Sequence, residues 1–264
     1  METIKHGKQY MQAVFNQTLE QNEKIFVPYI MAGDGGIESL MPTLQQLDQA
    51  GATTIEIGIP FSDPVADGPT IQEAGKRARE TGVTLHQILD KLAEERHSIK
   101  APIIVMTYLN PIFQFGVDRF MEVAQSAGID GLIIPDLPLE HESFIREAKE
   151  QHGLALIQLV SLTSSKERIK QIAEASEGFL YAVTVNGITG ARQSFADDLA
   201  THFELLQTYS DVPVLAGFGI STPDHVKNMT KVADGVVVGS QIIQSLQAND
   251  TDHIHALINA KDNQ

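Results

Sequence analysis

Gly235-Val236-Val237-Val238-Gly239-Ser240 is a short, unbroken apolar run that ends in glycine and serine. A run of this kind suits a parallel strand buried on both faces. The Gly-Ser pair then opens a helical stretch, so the unit reads strand, tight turn, helix. Leu132-Ile133-Ile134 repeats the apolar core of this pattern. Working outward, eight strands are expected: Ile25–Met31, Thr54–Ile57, Ile103–Thr107, Gly131–Ile134, Ala155–Val160, Phe179–Thr184, Val214–Ala216 and Gly235–Val238. Helical spacing of apolar residues fills the intervals at Glu38–Gln49, Thr84–Ile99, Asp118–Ala127, Leu139–Gln151, Ser165–Ala175, Phe195–Thr208, Pro223–Lys231 and Gln241–Ala260. Ser165 suits a helix start, Pro223 a first helical position after Thr222, and Gly51, Gly82 and Gly128 suit helix ends. Eight β–α repeats without a long linker point to one single-domain (β/α)8 barrel over residues 1–264. Glu2–Glu20 reads as an extra amphipathic helix covering the barrel bottom. The rival is an open doubly wound sheet, which would carry G-x-G-x-x-G after its first strand. Ala32–Gly36 reads AGDGG and does not match.

Bulk composition narrows the function. Hydrophobic residues make up 42% of the 264 residues, enough for a large core, and the formal net charge is −15. So acidic a surface repels nucleic-acid phosphates and anionic lipid. A small phosphate ligand is still admissible, because helix N-terminal amides bind one without Lys or Arg. The absence of cysteine removes disulfides, thiolate catalysis and Cys-ligated metal sites. The first residues hold no continuous apolar stretch, and no apolar run approaches the roughly 20 residues that cross a bilayer. A soluble cytoplasmic protein is expected.

In such a barrel the site lies at the C-terminal ends of the strands. Glu56 lies there, inside Thr54-Ile55-Glu56-Ile57-Gly58. Alternation puts it on the face opposite Ile55 and Ile57, pointing into the barrel. A carboxylate there is costly unless it is paired or its pKa rises. It is either part of a satisfied polar network in the core or a general acid/base at the mouth. Asp67 follows in the loop Pro60–Pro69, which Pro60, Pro64, Gly68 and Pro69 restrict. Alone, Asp67 reads as a turn residue before Gly68; together with Glu56 it brackets one mouth loop. Glycines follow the last three strands: Gly187 and Gly190, Gly217 and Gly219, and Gly239-Ser240. They make either tight βα turns or, after strands seven and eight, a phosphate cup at a helix N-terminus. None of the twelve lysines or nine histidines falls at an expected strand end, which disfavours a Schiff-base aldolase and a His-ligated metal centre. Acid–base chemistry by carboxylates remains.

At this point the chain resembles a known family. IEIGIPFSDPVADGP at Ile55–Pro69 is similar to the signature of the tryptophan synthase alpha chain. The resemblance extends through FVPYIMAGD at Phe26–Asp34, PDLP at Pro135–Pro138, GITG at Gly187–Gly190, GFGIS at Gly217–Ser221 and Gly239-Ser240. It implies cleavage of indole-3-glycerol phosphate into indole and glyceraldehyde 3-phosphate. Glu56 would then be the general acid/base, and Asp67 the carboxylate that bonds the indole N–H. Gly190, Gly219, Gly239 and Ser240 match phosphate-binding positions. Tyr29, Tyr108, Val160 and Tyr181 match pocket positions, and Thr189 matches a residue of a closing loop. No cofactor is implied in this chain. The implied partner is a beta chain carrying pyridoxal phosphate, in an alpha2-beta2 heterotetramer that passes indole through a tunnel. Ala32–Gly36, Tyr108–Phe113 and Asp136–Glu140 are the expected contact edge. Asp34-Gly35-Gly36 departs from the Asp-Pro of many members, and Thr184-Val185-Asn186 from their Arg- or Ser-rich stretch. Two other readings stay open: a different phosphate-binding barrel, such as a sugar-phosphate isomerase or epimerase, and a subunit that only activates a partner.

Overall fold

The computed structural model describes residues 6–161, 163–183, 193–217 and 219–262. The strands are β1 (Ile25–Met31), β2 (Ile55–Gly58), β3 (Ile103–Met106), β4 (Gly131–Ile133), β5 (Ala155–Leu156), β6 (Gln158–Ser161), β7 (Leu180–Val183), β8 (Val214–Gly217) and β9 (Gly235–Val238). All pair in parallel, in the order β5-β4-β3-β2-β1-β9-β8-β7-β6. The two ends of that order are halves of one segment. The expected strand Ala155–Val160 pairs with β4 through its first half and with β7 through its second, and so closes the barrel. It divides at Ile157 because side chains replace part of the ladder. Glu177 accepts from the Leu156 amide at 2.8 Å, and Ser176 Oγ accepts from the Gln158 amide at 3.2 Å.

The barrel interior is filled in layers. Ile25, Val27, Ile104, Ile133, Ile157, Phe179, Leu215 and Val237 form its lower packing. The helix Lys8–Glu20 caps that end as expected, but begins after Gly7. Its Met11 and Phe15 are fully buried, and the Phe15 ring meets Phe179 edge-on at 6.2 Å. Burying two such side chains contributes on the order of 3–6 kcal/mol. The opposite faces of the strands pack under the surrounding helices in a second, larger cluster.

Helix ends follow local chemistry. Thr222 caps Pro223–Met229, Ser165 caps Lys166–Ala175, and Thr84 makes a reciprocal capping box with Gln87. Four departures from expectation stand out. Gln241–Ala260 is two helices, Ser240–Gln247 and Thr251–Asn259, because Asn249 takes φ 54° and Asp250 caps the second. Leu139–Gln151 divides into a 3-10 turn, Leu139–Phe144, and a helix, Arg146–Gln151. Two further helices, Pro69–Glu80 and Leu109–Phe115, occupy stretches where no helix was expected.

Candidate active site

Strand register builds the mouth of the barrel. Tyr29 on β1 is the direct partner of Glu56 on β2, and Glu56 of Ile104 on β3. Partners in a parallel ladder share a face, so Tyr29 and Glu56 project inward at one height. Two glycines make room for the aromatic walls. A Cβ at Gly58 would fall 1.9 Å from Tyr29 Oη, and one at Gly217 would fall 2.1 Å from Tyr181 Cε1. A cavity of about 280 Å³ opens here. Tyr29, Glu56, Asp67, Tyr181, Gly219 and Ser240 are among its walls, and Gly239 completes the turn into the helix Ser240–Gln247.

Glu56 is buried, and its Oε2 has no hydrogen-bond partner. A core network that satisfied the whole carboxylate, the alternative left open by the sequence, would not leave this oxygen bare. Burial pushes its pKa up to about 8, and the nearby Asp67 charge adds to the shift. Asp67 is raised to about 6 by burial, against a lowering hydrogen bond from Tyr108. Tyr29 and Tyr181 are held well above the ordinary tyrosine range, chiefly by burial, with the Glu56 charge raising both.

The loop carrying Asp67 is fixed from several directions. Its amide donates to the Pro64 carbonyl at 3.1 Å, so Asp67 is indeed a turn residue. Its carbonyl accepts from Gln72 Nε2 at 2.8 Å. Tyr108 Oη accepts from the Ala66 amide at 3.0 Å and donates to Asp67 Oδ1 at 3.3 Å. The Tyr108 ring stacks on Phe61 at 5.1 Å. Tyr108 therefore braces the loop through Ala66 and Asp67, and is not itself among the residues that line the cavity. Val160 is also away from the cavity: it packs with the helix-facing cluster, and its neighbour Leu159 takes the inward face. Thr189, Gly190, Gly187 and Thr184-Val185-Asn186 lie outside the described residues.

In the same cavity wall, the first turn of Ser240–Gln247 lies with Gly219, which holds φ +77°. A positive φ of that size favours glycine. The structure adds Ile71, Met106, Val237, Gln241 and Gln244 to the walls. Gln241 and Gln244 were findable, because they lie one turn apart on a helix already placed with its start at the mouth. Among the described residues, no group of three or more His, Cys, Asp or Glu could hold a metal ion, and no helix is long and apolar enough to cross a membrane.

This fold and cavity define a (β/α)8 barrel with a carboxylate pair at the C-terminal ends of its strands. The sequence profile of the tryptophan synthase alpha chain matches residues 15–264. A tryptophan synthase alpha chain from Bacillus cereus is 50% identical over 254 residues, covering 96% of this chain and 97% of the relative. One from Bacillus thuringiensis is 51% identical over 241 residues, covering 91% and 93%. Among solved structures, tryptophan synthase from Mycobacterium tuberculosis superposes with a TM-score of 0.88 at 30% identity, covering 98% of this chain and 100% of that one. The alpha subunit from Legionella pneumophila gives 0.87 at 33%, covering 96% and 98%. The chain belongs to the tryptophan synthase alpha chain family.

Proposed function

We propose that the chain cleaves indole-3-glycerol phosphate to indole and glyceraldehyde 3-phosphate, with Glu56 and Asp67 as its catalytic residues. The observation that carries the reading is the buried, unpartnered Glu56 Oε2 in the cavity that Asp67 also lines. With a pKa of about 8, Glu56 holds a proton at neutral pH, while Asp67 at about 6 is ionised. Two carboxylates pushed apart in this way divide the acid and anion roles between them. Protonated Glu56 delivers its proton to indole C3. The ring becomes cationic, and Asp67 stabilises it by accepting a hydrogen bond from the ring N–H. Glu56, now a carboxylate, takes the proton of the glycerol hydroxyl next to the scissile bond. The C–C bond breaks, its electron pair returns to the ring, an aldehyde forms, and Glu56 is protonated again. Gly219, Gly239 and Ser240 receive the phosphate at the helix N-terminus. Tyr29 and Tyr181 flank the ring. Gly190 and Thr189 are assigned by resemblance to the phosphate site and to a closing loop.

The partner is a beta chain carrying pyridoxal phosphate, in an alpha2-beta2 assembly, and this chain needs no cofactor of its own. The exposed large apolar residues among those described support the docking edge: Val65, Phe113 and Phe144 follow β2, β3 and β4, all at the mouth end. Phe113 and Phe144 meet edge-on at 6.1 Å, and the Leu109 amide ties their two segments through Asp136 Oδ1 at 2.9 Å. The test is an assay of the purified chain on indole-3-glycerol phosphate, with and without a beta chain. Glu56→Gln should abolish indole release while glycerol 3-phosphate still binds, and Asp67→Asn should be severely impaired. Near wild-type turnover by Glu56→Gln would overturn the assignment.

A further inference from the structure

The Asp34 carboxylate joins two neighbouring helices that both supply walls of the cavity. Arg77 grips it bidentately, Nε to Oδ1 at 2.8 Å and Nη2 to Oδ2 at 2.7 Å. Gln247 Nε2 donates to the same Oδ2 at 3.2 Å. Arg77 lies two turns into Pro69–Glu80, the helix that starts directly after Asp67-Gly68 and sends Ile71 to the cavity wall. Gln247 closes Ser240–Gln247, whose first turns also supply Ser240, Gln241 and Gln244 to the cavity wall. The two helices pack against each other and both pack against β1.

Asp34 itself has little freedom. Its amide donates to the Met31 carbonyl at 3.2 Å, and Ser39 Oγ donates to its carbonyl at 3.2 Å. The preceding Gly33 takes φ +79°, and a Cβ there would fall 2.8 Å from Val83 Cγ2. Beside the carboxylate lies a second cavity, about 340 Å³, walled by Thr43, Gln46 and Gln247 among others. Close packing is what usually locks a helix in place. On this side the end of Ser240–Gln247 faces a void, and the polar tie to Asp34 takes over that role.

We propose that Asp34, Arg77 and Gln247 form a positioning clamp that sets the spacing between the Asp67 loop and the helix N-terminus at Ser240. The inference rests on the reading of the site above, in which the substrate is held at both of those places. None of the three residues touches the substrate; they act through the stiff helices. A ligand gripped at both ends senses the spacing, whereas one gripped only by its phosphate does not.

The test compares wild type with Arg77→Ala, Arg77→Lys and Gln247→Ala. The readouts are kcat and KM for indole-3-glycerol phosphate, affinity for glycerol 3-phosphate, and the thermal midpoint. Arg77→Ala should lower kcat/KM for the whole substrate by about tenfold or more, since small misplacements of reacting groups cost that much. Its affinity for glycerol 3-phosphate should stay within about twofold of wild type, the mark of a positional effect. Arg77→Lys, which keeps the charge and one bond of the fork, should recover part of the loss. Gln247→Ala, which cuts only the second arm, should lie between Arg77→Ala and wild type. Unchanged kcat/KM in Arg77→Ala would overturn the clamp. So would equal losses for both ligands that track a lowered thermal midpoint. A wild-type chain that neither cleaves the substrate nor binds glycerol 3-phosphate would overturn the functional reading, and the clamp with it.

Discussion

Burial without a partner costs an ionised carboxylate far more than a neutral one, which is why Glu56 keeps its proton up to about pH 8. Asp67 is less enclosed and accepts the Tyr108 hydroxyl, so it ionises near pH 6. If Glu56 must enter the reaction protonated and Asp67 ionised, kcat/KM should form a bell with limbs near pH 6 and pH 8. A steady-state pH series checks this, and activity still climbing above pH 9 would exclude protonated Glu56 as the acid. The same shift bears on stability. The folded chain binds the Glu56 proton more tightly than the unfolded chain, whose carboxyl titrates near 4.5. Stability from this group is therefore fullest below that value and is lost as pH rises towards 8, at about 1.4 kcal/mol per pH unit. Glu56→Gln removes the slope. The variant should be inactive yet more stable than wild type by about 2–3 kcal/mol at pH 7. Urea unfolding at pH 5 and pH 7 measures the difference, and a variant less stable at pH 7 would refute the account. Glu56 was legible in the sequence because a lone carboxylate in an apolar strand breaks a period-two pattern. The orphaned Oε2 was not, since that depends on what the neighbouring strands bring to the same height.

At the scale of elements, the loop Pro60–Pro69 works because other elements hold it. Tyr108 begins the helix Leu109–Phe115, accepts from Ala66 and donates to Asp67. The resemblance placed Tyr108 among pocket-lining positions, while in the structure it holds Ala66 and Asp67, two residues that line the cavity. Tyr108→Phe keeps the stack on Phe61 and removes both bonds. The Tyr108 bond lowers the Asp67 pKa, so without it Asp67 should titrate at higher pH. The acid limb of the bell should move up, and kcat/KM should fall by about five- to tenfold, in line with the net worth of the one lost bond that reaches the Asp67 carboxylate. The loss should be larger at pH 6 than at pH 8; an unmoved acid limb would mean that Tyr108 does not set the ionisation of Asp67. The helix Pro69–Glu80 escaped the sequence because its buried face is Ala74, Gly75 and Ala78. Small residues give almost no hydrophobic period, yet they let the helix approach closely: a Cβ at Gly75 would stand 3.4 Å from Met31 Cε. Val160, which the resemblance matched to a pocket position, lies in a strand with apolar residues on both faces and a single polar one, Gln158, so the strand's own sequence does not say which set faces inward.

Across the whole molecule the barrel separates chemistry from anchorage. The mouth holds the Glu56 carboxylate, whose Oε2 has no hydrogen-bond partner. The far end holds one that is heavily partnered: Asp130 accepts from the Gly7 amide at 2.6 Å, the Ile103 amide at 2.7 Å and Arg96 Nη2 at 3.1 Å. Arg96, equally buried, also donates to the carbonyls of Gly128, Ile99 and Ala101. This network fastens the N-terminal segment over the barrel bottom, where Met11 and Phe15 complete the core. The repeat of strand and helix made the barrel itself legible. The network was not, because its members are scattered along the chain and meet only once the strands are in register. Removing one member leaves the other as a buried, uncompensated charge. Asp130→Ala should therefore cost about 3–5 kcal/mol, more than the Glu56→Gln variant gains. Its remaining folded molecules should turn over at the wild-type kcat, because the cut is made at the end away from the reacting groups. Urea unfolding together with kcat per folded molecule, read below the transition, checks both halves. A fall in kcat at undiminished stability would mean that the two ends are coupled through the barrel. The expected pair of outcomes, one variant stable and inactive and the other active and unstable, would place function at the C-terminal ends of the strands and anchorage at their N-terminal ends.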